Sequence, residues 1–168
     1  MRILAVCGSL HARSRNLDLL QTAVSSAPPG VEIVIFSSLR DLPHFAPDLE
    51  TAGVPAAVTR WRLALSECDG ALIACPEYAF SVPGVVKNAI DWVVGSGELE
   101  RKIVAITAAS HGHERGRRGL AALREPLTAL SATIVGGEPI AHGPDANRQV
   151  AALLLELAAV VRASADAP

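Results

Sequence analysis

The chain has 168 residues, half of them apolar and 19% charged, with a formal net charge of −2. That length suits one domain with a full hydrophobic core, and the composition excludes a disordered chain. The balanced charge leaves no electrostatic footprint for nucleic acid or an anionic membrane, and no apolar run approaches the length that spans a bilayer.

In chain order, "RILAVC" (Arg2 to Cys7) is a continuous apolar run, as expected of a strand covered on both faces. Its β-branched character and the glycine turn after it mark a first strand rather than a signal peptide. Apolar residues at helical spacing from Leu17 predict a first helix, with Ser14 as its N-cap, and "APPG" stops it. "VEIVIF" (Val31 to Phe36) is a second strand, followed by a long Pro- and Asp-rich connection, "SSLRDLPHFAPDLE". "PAAVTRWRLALSEC" reads as a helix with Pro55 in its first turn. "GALIAC" is a third strand, Gly84 to Val94 a helix, and Lys102 to Thr107 a fourth strand. "LAALREPLTAL" is helical with an expected break or kink at Pro126. Ala132 to Gly137 is a fifth strand, and a last helix follows, capped by Asp145. The expected domain is residues 1–163, with residues 164–168 as a frayed tail.

Strands alternate with helices five times, the pattern of an α/β fold with an open, doubly wound parallel sheet. Rossmann and flavodoxin-like strand orders both fit. In either, ligands bind beyond the carboxyl ends of the strands near the switch in strand order. That selects three loops: Gly8 to Asn16, Pro76 to Pro83 and Ala108 to Gly119.

The first, "GSLHARSRN", places Ser9, Ser14 and Asn16 at a helix N-terminus, where backbone N–H groups and hydroxyls suit an anion, with His11, Arg13 and Arg15 adding positive charge nearby. A plain polar turn is the competing reading. The loop lacks the Gly-Lys-Ser/Thr of a Walker loop and the spacing of a dinucleotide GxGxxG. The second, "PEYAFSVPG", carries Tyr78 and Phe80 beside a stiff Pro83-Gly84 exit. It reads as a wall for a flat ligand or as a cap on the sheet core. Glu77 reads as a structural carboxylate bonded to backbone groups ahead of a general base. The third, "ASHGHERGRRG", is Gly-rich, and its two histidines, His111 and His113, read as solvated polar groups. No metal-ligand set is present. Cys7, Cys68 and Cys75 form no CxxC pair and have no zinc-like His partners, so the default is a reduced, cytoplasmic protein with cysteines as small hydrophobes. A redox-sensing Cys7–Cys75 pair is the lesser alternative.

With "GSLHARSRN" after the first strand and "PEYAFSVPGVVKNAIDW" after the third, the chain resembles the NADPH-dependent FMN reductase family over almost its whole length. "DLPHFAPDLE" and the third-loop glycines add to the likeness. The resemblance implies a flavodoxin-like three-layer sandwich with a five-stranded parallel sheet of order 2-1-3-4-5. It implies FMN as cofactor, with NADPH or NADH as co-substrate. The phosphate would sit on Ser9, Ser14 and Asn16, with His11 and Arg15 beside it. The ring would lie on Pro76, Glu77, Tyr78, Ala79, Phe80 and Ser81, and Ser110 and Gly112 would approach its other side. Two departures stand out: His11 where the family often has Arg, and Ala79-Phe80 where it often has Asn-Gly. A His is neutral much of the time near neutral pH, so it supplies a weaker charge.

The implied reaction passes hydride from NADPH or NADH to a small acceptor such as a quinone, flavin, azo or nitro compound or metal oxyanion. It needs no protein nucleophile, and no catalytic triad is present. A flavodoxin-like electron carrier and a flavin-free interaction or sensing module are the alternatives. On the helix after the third strand only Lys87, Asn88 and Asp91 form a polar arc at about 100° per residue. Its wide apolar remainder, with Trp92 at the edge, predicts a homodimer contact, and a homodimer or homotetramer also follows from the resemblance.

Overall fold

The computed structural model describes residues 1–112 and 115–165. His113 and the last three residues, both touched on by the expectations above, lie outside the described residues. Five strands, β1 (Arg2–Cys7), β2 (Glu32–Phe36), β3 (Gly70–Ala74), β4 (Ile103–Ser110) and β5 (Thr133–Ala141), pair in parallel in the order β2-β1-β3-β4-β5. This is the flavodoxin-like order, and it resolves the choice that periodicity left open. Its switch point lies between β1 and β3, where Cys7 aligns with Ala74.

Among the described residues the α-helices are α1 (Arg15–Ser25), α2 (Pro47–Ala52), α3 (Ala56–Ser66), α4 (Gly84–Asp91), α5 (Arg117–Ala129) and α6 (Ala146–Ala165), of which all but the short α2, which buries no residue, pack on the sheet. The core divides accordingly. Leu19, Leu20, Leu154 and Leu157 of α1 and α6 pack on one face with Ile3, Ala5 and Leu72. Trp61, Leu65, Ile90, Leu123 and Leu127 of α3, α4 and α5 pack on the other with Leu4, Val6 and Ile73. Because β1 and β3 are sandwiched, successive residues that point to opposite faces are all apolar, which is why their runs show no alternation.

Several elements depart from the expected bounds. The first helix is not among them: it starts at Arg15, directly after Ser14, the N-cap position expected from the sequence. Pro126 does not break α5, which continues to Ala129. It stands near the C-terminal end, and the last turn is still closed by Leu130 N–H on the Pro126 carbonyl (3.2 Å) and Ser131 N–H on the Thr128 carbonyl (2.9 Å). Strand β5 runs through Gly136 and Gly137, which adopt φ of 67° and 112° beside a register shift between Ile106 and Ala108 of β4. The two glycines, inside the strand as expected, form an irregularity in the sheet, and the strand continues past them to Ala141. Helix α6 runs to Ala165, the last described residue.

The apolar arc of α4 is covered within the chain. Trp92 and Val93 are fully buried. The Trp92 indole donates to the Pro43 carbonyl (2.7 Å), and its ring meets Phe45 edge-on at 5.1 Å. Asn88 clamps the same connection, donating to the Pro43 carbonyl and accepting from Phe45 N–H (2.9 and 2.8 Å). The long connection after β2 therefore supplies the second contact that periodicity assigned to another subunit, and only Val94 of that arc is exposed as a large apolar side chain. No helix among the described residues is long and apolar enough to cross a membrane.

Candidate functional site

The three loops selected from the sequence meet at the carboxyl end of the sheet. Gly8 makes the first junction possible. A Cβ there would stand 2.8 Å from Val86 Cγ2 and 3.1 Å from Pro76 Cδ, so only glycine lets the β1–α1 loop lie this close to the β3–α4 loop. Its N–H completes the β1–β3 ladder on the Ala74 carbonyl (2.8 Å). Beyond it, Ser9 Oγ lies 3.4 Å from the Tyr78 hydroxyl.

Ser14 occupies the N-cap position of α1, but its hydroxyl makes no capping bond, which corrects the expected role of that side chain. It is buried, with Cys7 Sγ 3.9 Å away. Leu17 N–H and Asp18 N–H both turn back on the Ser14 carbonyl (2.9 and 3.0 Å), so of the first turn the Arg15 and Asn16 N–H groups, with the Ser14 hydroxyl, are the donors suited to an outside acceptor. Asn16 is buried and accepts the Ala109 N–H of β4 through Oδ1 (2.9 Å), which leaves its amide nitrogen as the donor. Arg15 donates to His111 Nδ1 (2.9 Å), joining the first loop to the third. His11 accepts the Arg13 N–H through Nδ1 (3.1 Å), which orients its ring inside the loop. The chemistry of these groups fits a phosphate: hydroxyls, helix N-terminal amides and one guanidinium belong to one loop and the helix turn after it, with no carboxylate among them.

The second loop is a tight turn. Tyr78 and Ser81 exchange both backbone hydrogen bonds (3.0 and 2.9 Å), and between them Ala79 and Phe80 have φ of 50° and 61°. Two positive φ values define a type I′ turn, which Asn-Gly makes most easily. For residues with a Cβ the left-handed region costs roughly 1–2 kcal/mol each. The Phe80 ring is 67% exposed and carries the Arg118 guanidinium 4.2 Å from its centroid. Such a contact at an exposed site contributes about 0.5–1 kcal/mol, less than the turn costs.

Glu77 bonds backbone groups, as its neighbours suggested. Its Oε2 accepts the N–H groups of Arg118 and Gly119 (3.0 and 3.1 Å) at the start of α5. A Cβ on Gly119 would lie 2.9 Å from Glu77 Cα, so a second glycine sets the second junction. In the third loop, Ser110 is buried and donates to the Gly112 carbonyl (2.8 Å).

Three contacts, Ser9 with Tyr78, Arg15 with His111 and Glu77 with Arg118, thus join the three loops in pairs. The sequence places Arg118 in a short basic cluster with Arg115 and Arg117 and reads His111 as a solvated polar group. Nothing in their spacing shows that Phe80 and Arg15 lie against them. A cleft of about 260 Å³ adjoins the loops between α1 and α6, lined by Arg15, Leu19, Ser110, His142, Ala146 and Val150. The cysteines form no disulfide. Burial pushes the Cys75 thiol up to about 12, which removes the thiolate that redox exchange with Cys7 would need.

Comparison with known proteins agrees with this arrangement. Residues 1–145 match the NADPH-dependent FMN reductase family. The chain is 36% identical over 132 residues to an NAD(P)H-dependent FMN reductase of Pseudomonas aeruginosa, covering 77% of this chain and 71% of that protein. It is 32% identical over 151 residues to a quinone reductase of Escherichia coli, covering 88% and 80%. Among solved structures it is similar to FerB, a flavoenzyme NAD(P)H:(acceptor) oxidoreductase from Paracoccus denitrificans. That similarity has a TM-score of 0.80 at 26% identity and covers 96% of this chain and 95% of the other. The chain belongs to the NADPH-dependent FMN reductase family, and with it to the FMN-dependent oxidoreductases.

Proposed function

We propose that the chain is an NAD(P)H-dependent reductase that binds FMN across the three joined loops and delivers hydride to a quinone or a similar flat acceptor. The observation that carries this reading is the pair of glycine junctions, Gly8 and Gly119, which bring a phosphate-suited helix N-terminus and an aromatic turn to one edge of the sheet. FMN, when bound, supplies the hydride chemistry between coenzyme and acceptor. Ser9, Ser14, Asn16 and Arg15 hold its phosphate, with His11 shaping the loop. Pro76 through Ser81 line the ring, and Ser110 and Gly112 close on it from the third loop. No side chain here has to act as nucleophile. The names of the Pseudomonas and Escherichia relatives support a coenzyme-dependent reductase with a quinone-type acceptor over an electron carrier or an interaction module.

We place the protein in the cytoplasm and expect a homodimer or homotetramer. Since α4 is covered within the chain, the contact would centre on exposed Val94 with Phe45, Leu49 and Val54 of the neighbouring connection. Purified protein loaded with FMN should keep its yellow colour through desalting and bleach on anaerobic addition of NADPH. Retention without bleaching by NADPH or NADH would indicate an electron carrier, and loss of colour on desalting at all FMN concentrations an interaction module.

A further inference from the structure

The turn at the tip of the β3–α4 loop gives up local stability and exposes a ring. Ala79 and Phe80 both stand at positive φ, where a glycine-containing pair would be relaxed. The ring is not used for the core, because it is 67% exposed. Its partner is Arg118, whose guanidinium rests 4.2 Å from the ring centroid and whose backbone N–H is fixed by Glu77 (3.0 Å). Among the described residues no carboxylate forms an ion pair with that guanidinium. The loop therefore presents an aromatic face and a positioned cation beside Tyr78. A guanidinium resting on a ring retains in-plane N–H donors suited to a fork-like bond with a carboxylate or sulfonate.

We propose that Phe80 and Arg118 are specificity-determining residues that select a planar aromatic acceptor bearing an anionic substituent, a carboxylate or a sulfonate. This rests on the flavin reading above, because it places the pair at the edge of the ring-lining segment. The group they meet then belongs to a molecule lying at the level of the ring. The adenosine phosphate of NADPH is a dinucleotide's length away from its nicotinamide and is a poorer match. The reaction served is ordinary: hydride from NADPH and one proton from water convert a quinone to its hydroquinone and leave NADP⁺.

The test compares a naphthoquinone with its sulfonate, using wild-type holoprotein, Arg118→Gln and Phe80→Gly. The preference for the sulfonate, as a ratio of kcat/KM values, should fall about fivefold in both variants, the upper range for an exposed ion pair, and through KM. Equilibrium dialysis of naphthalene sulfonate, which is not reduced, should show the same weakening. A ratio and an affinity unchanged in both variants would overturn the proposal. So would an unchanged ratio with a raised KM for NADPH but not for NADH, which would give Arg118 to the coenzyme phosphate. If the wild-type protein reduces neither quinone, the flavin reading fails on its own. The dialysis then still decides whether the pair recognises an aromatic anion.

Discussion

Phe80 is the residue where chemistry and folding pull apart. Its turn needs two left-handed residues and has neither Asn nor Gly to supply them. Replacing Ala79-Phe80 with Asn-Gly should raise stability by about 1–2 kcal/mol, seen as a higher urea midpoint with an unchanged slope. A lower midpoint would mean that the Arg118 contact outweighs the strain. Glu77 predicts the opposite sign. It terminates α5 at two backbone N–H groups, so Glu77→Ala should cost about 1 kcal/mol, as losing an N-terminal cap does. Cys75 gives a pH prediction. Its folded thiol is raised to about 12, so the unfolded chain loses this proton first as pH rises. Stability should be insensitive to this group below about pH 9 and decline from there towards 12. Native Cys75, which is fully buried, should also resist alkylation that reaches it after denaturation.

At the scale of elements, two glycines hold the loops together from the β1 end and the α5 end. Gly8→Ala would press a methyl group against Val86 and Pro76, and Gly119→Ala would press one against the Glu77 backbone. Both should lower stability, by roughly 1–3 kcal/mol as overpacking does, and weaken FMN binding measured by flavin fluorescence. Strands β1, β3 and β4 were legible in the sequence because burial on both faces leaves continuous apolar runs. The loop positions followed from the alternation of strands and helices, which puts the carboxyl ends of all parallel strands at one edge in either strand order. What could not be read was what covers α4. Periodicity shows how wide an apolar arc is, not which segment lies on it, and the Pro43–Phe45 connection has no periodicity to reveal that it docks on Trp92. For the same reason α2 went unseen, a single short helix inside a Pro-rich stretch. The Arg15–His111 and Phe80–Arg118 contacts join residues far apart in the chain, and local spacing carries no information about them.

For the whole molecule, the fold separates stability from function along one axis. The two apolar layers lie along the length of the sheet, and the polar groups discussed above gather at its carboxyl edge. A bound cofactor that bridges three loops couples elements from both layers. FMN at a hundredfold excess over its Kd should therefore raise stability by about 2.7 kcal/mol in one cooperative transition. Hydrogen exchange with and without FMN tests the central claim most directly. The account predicts added protection in all three loops together, at residues 9–16, 76–81 and 109–119. Protection confined to the α1–α6 cleft around His142 and Val150, or none in the 76–81 turn, would contradict it.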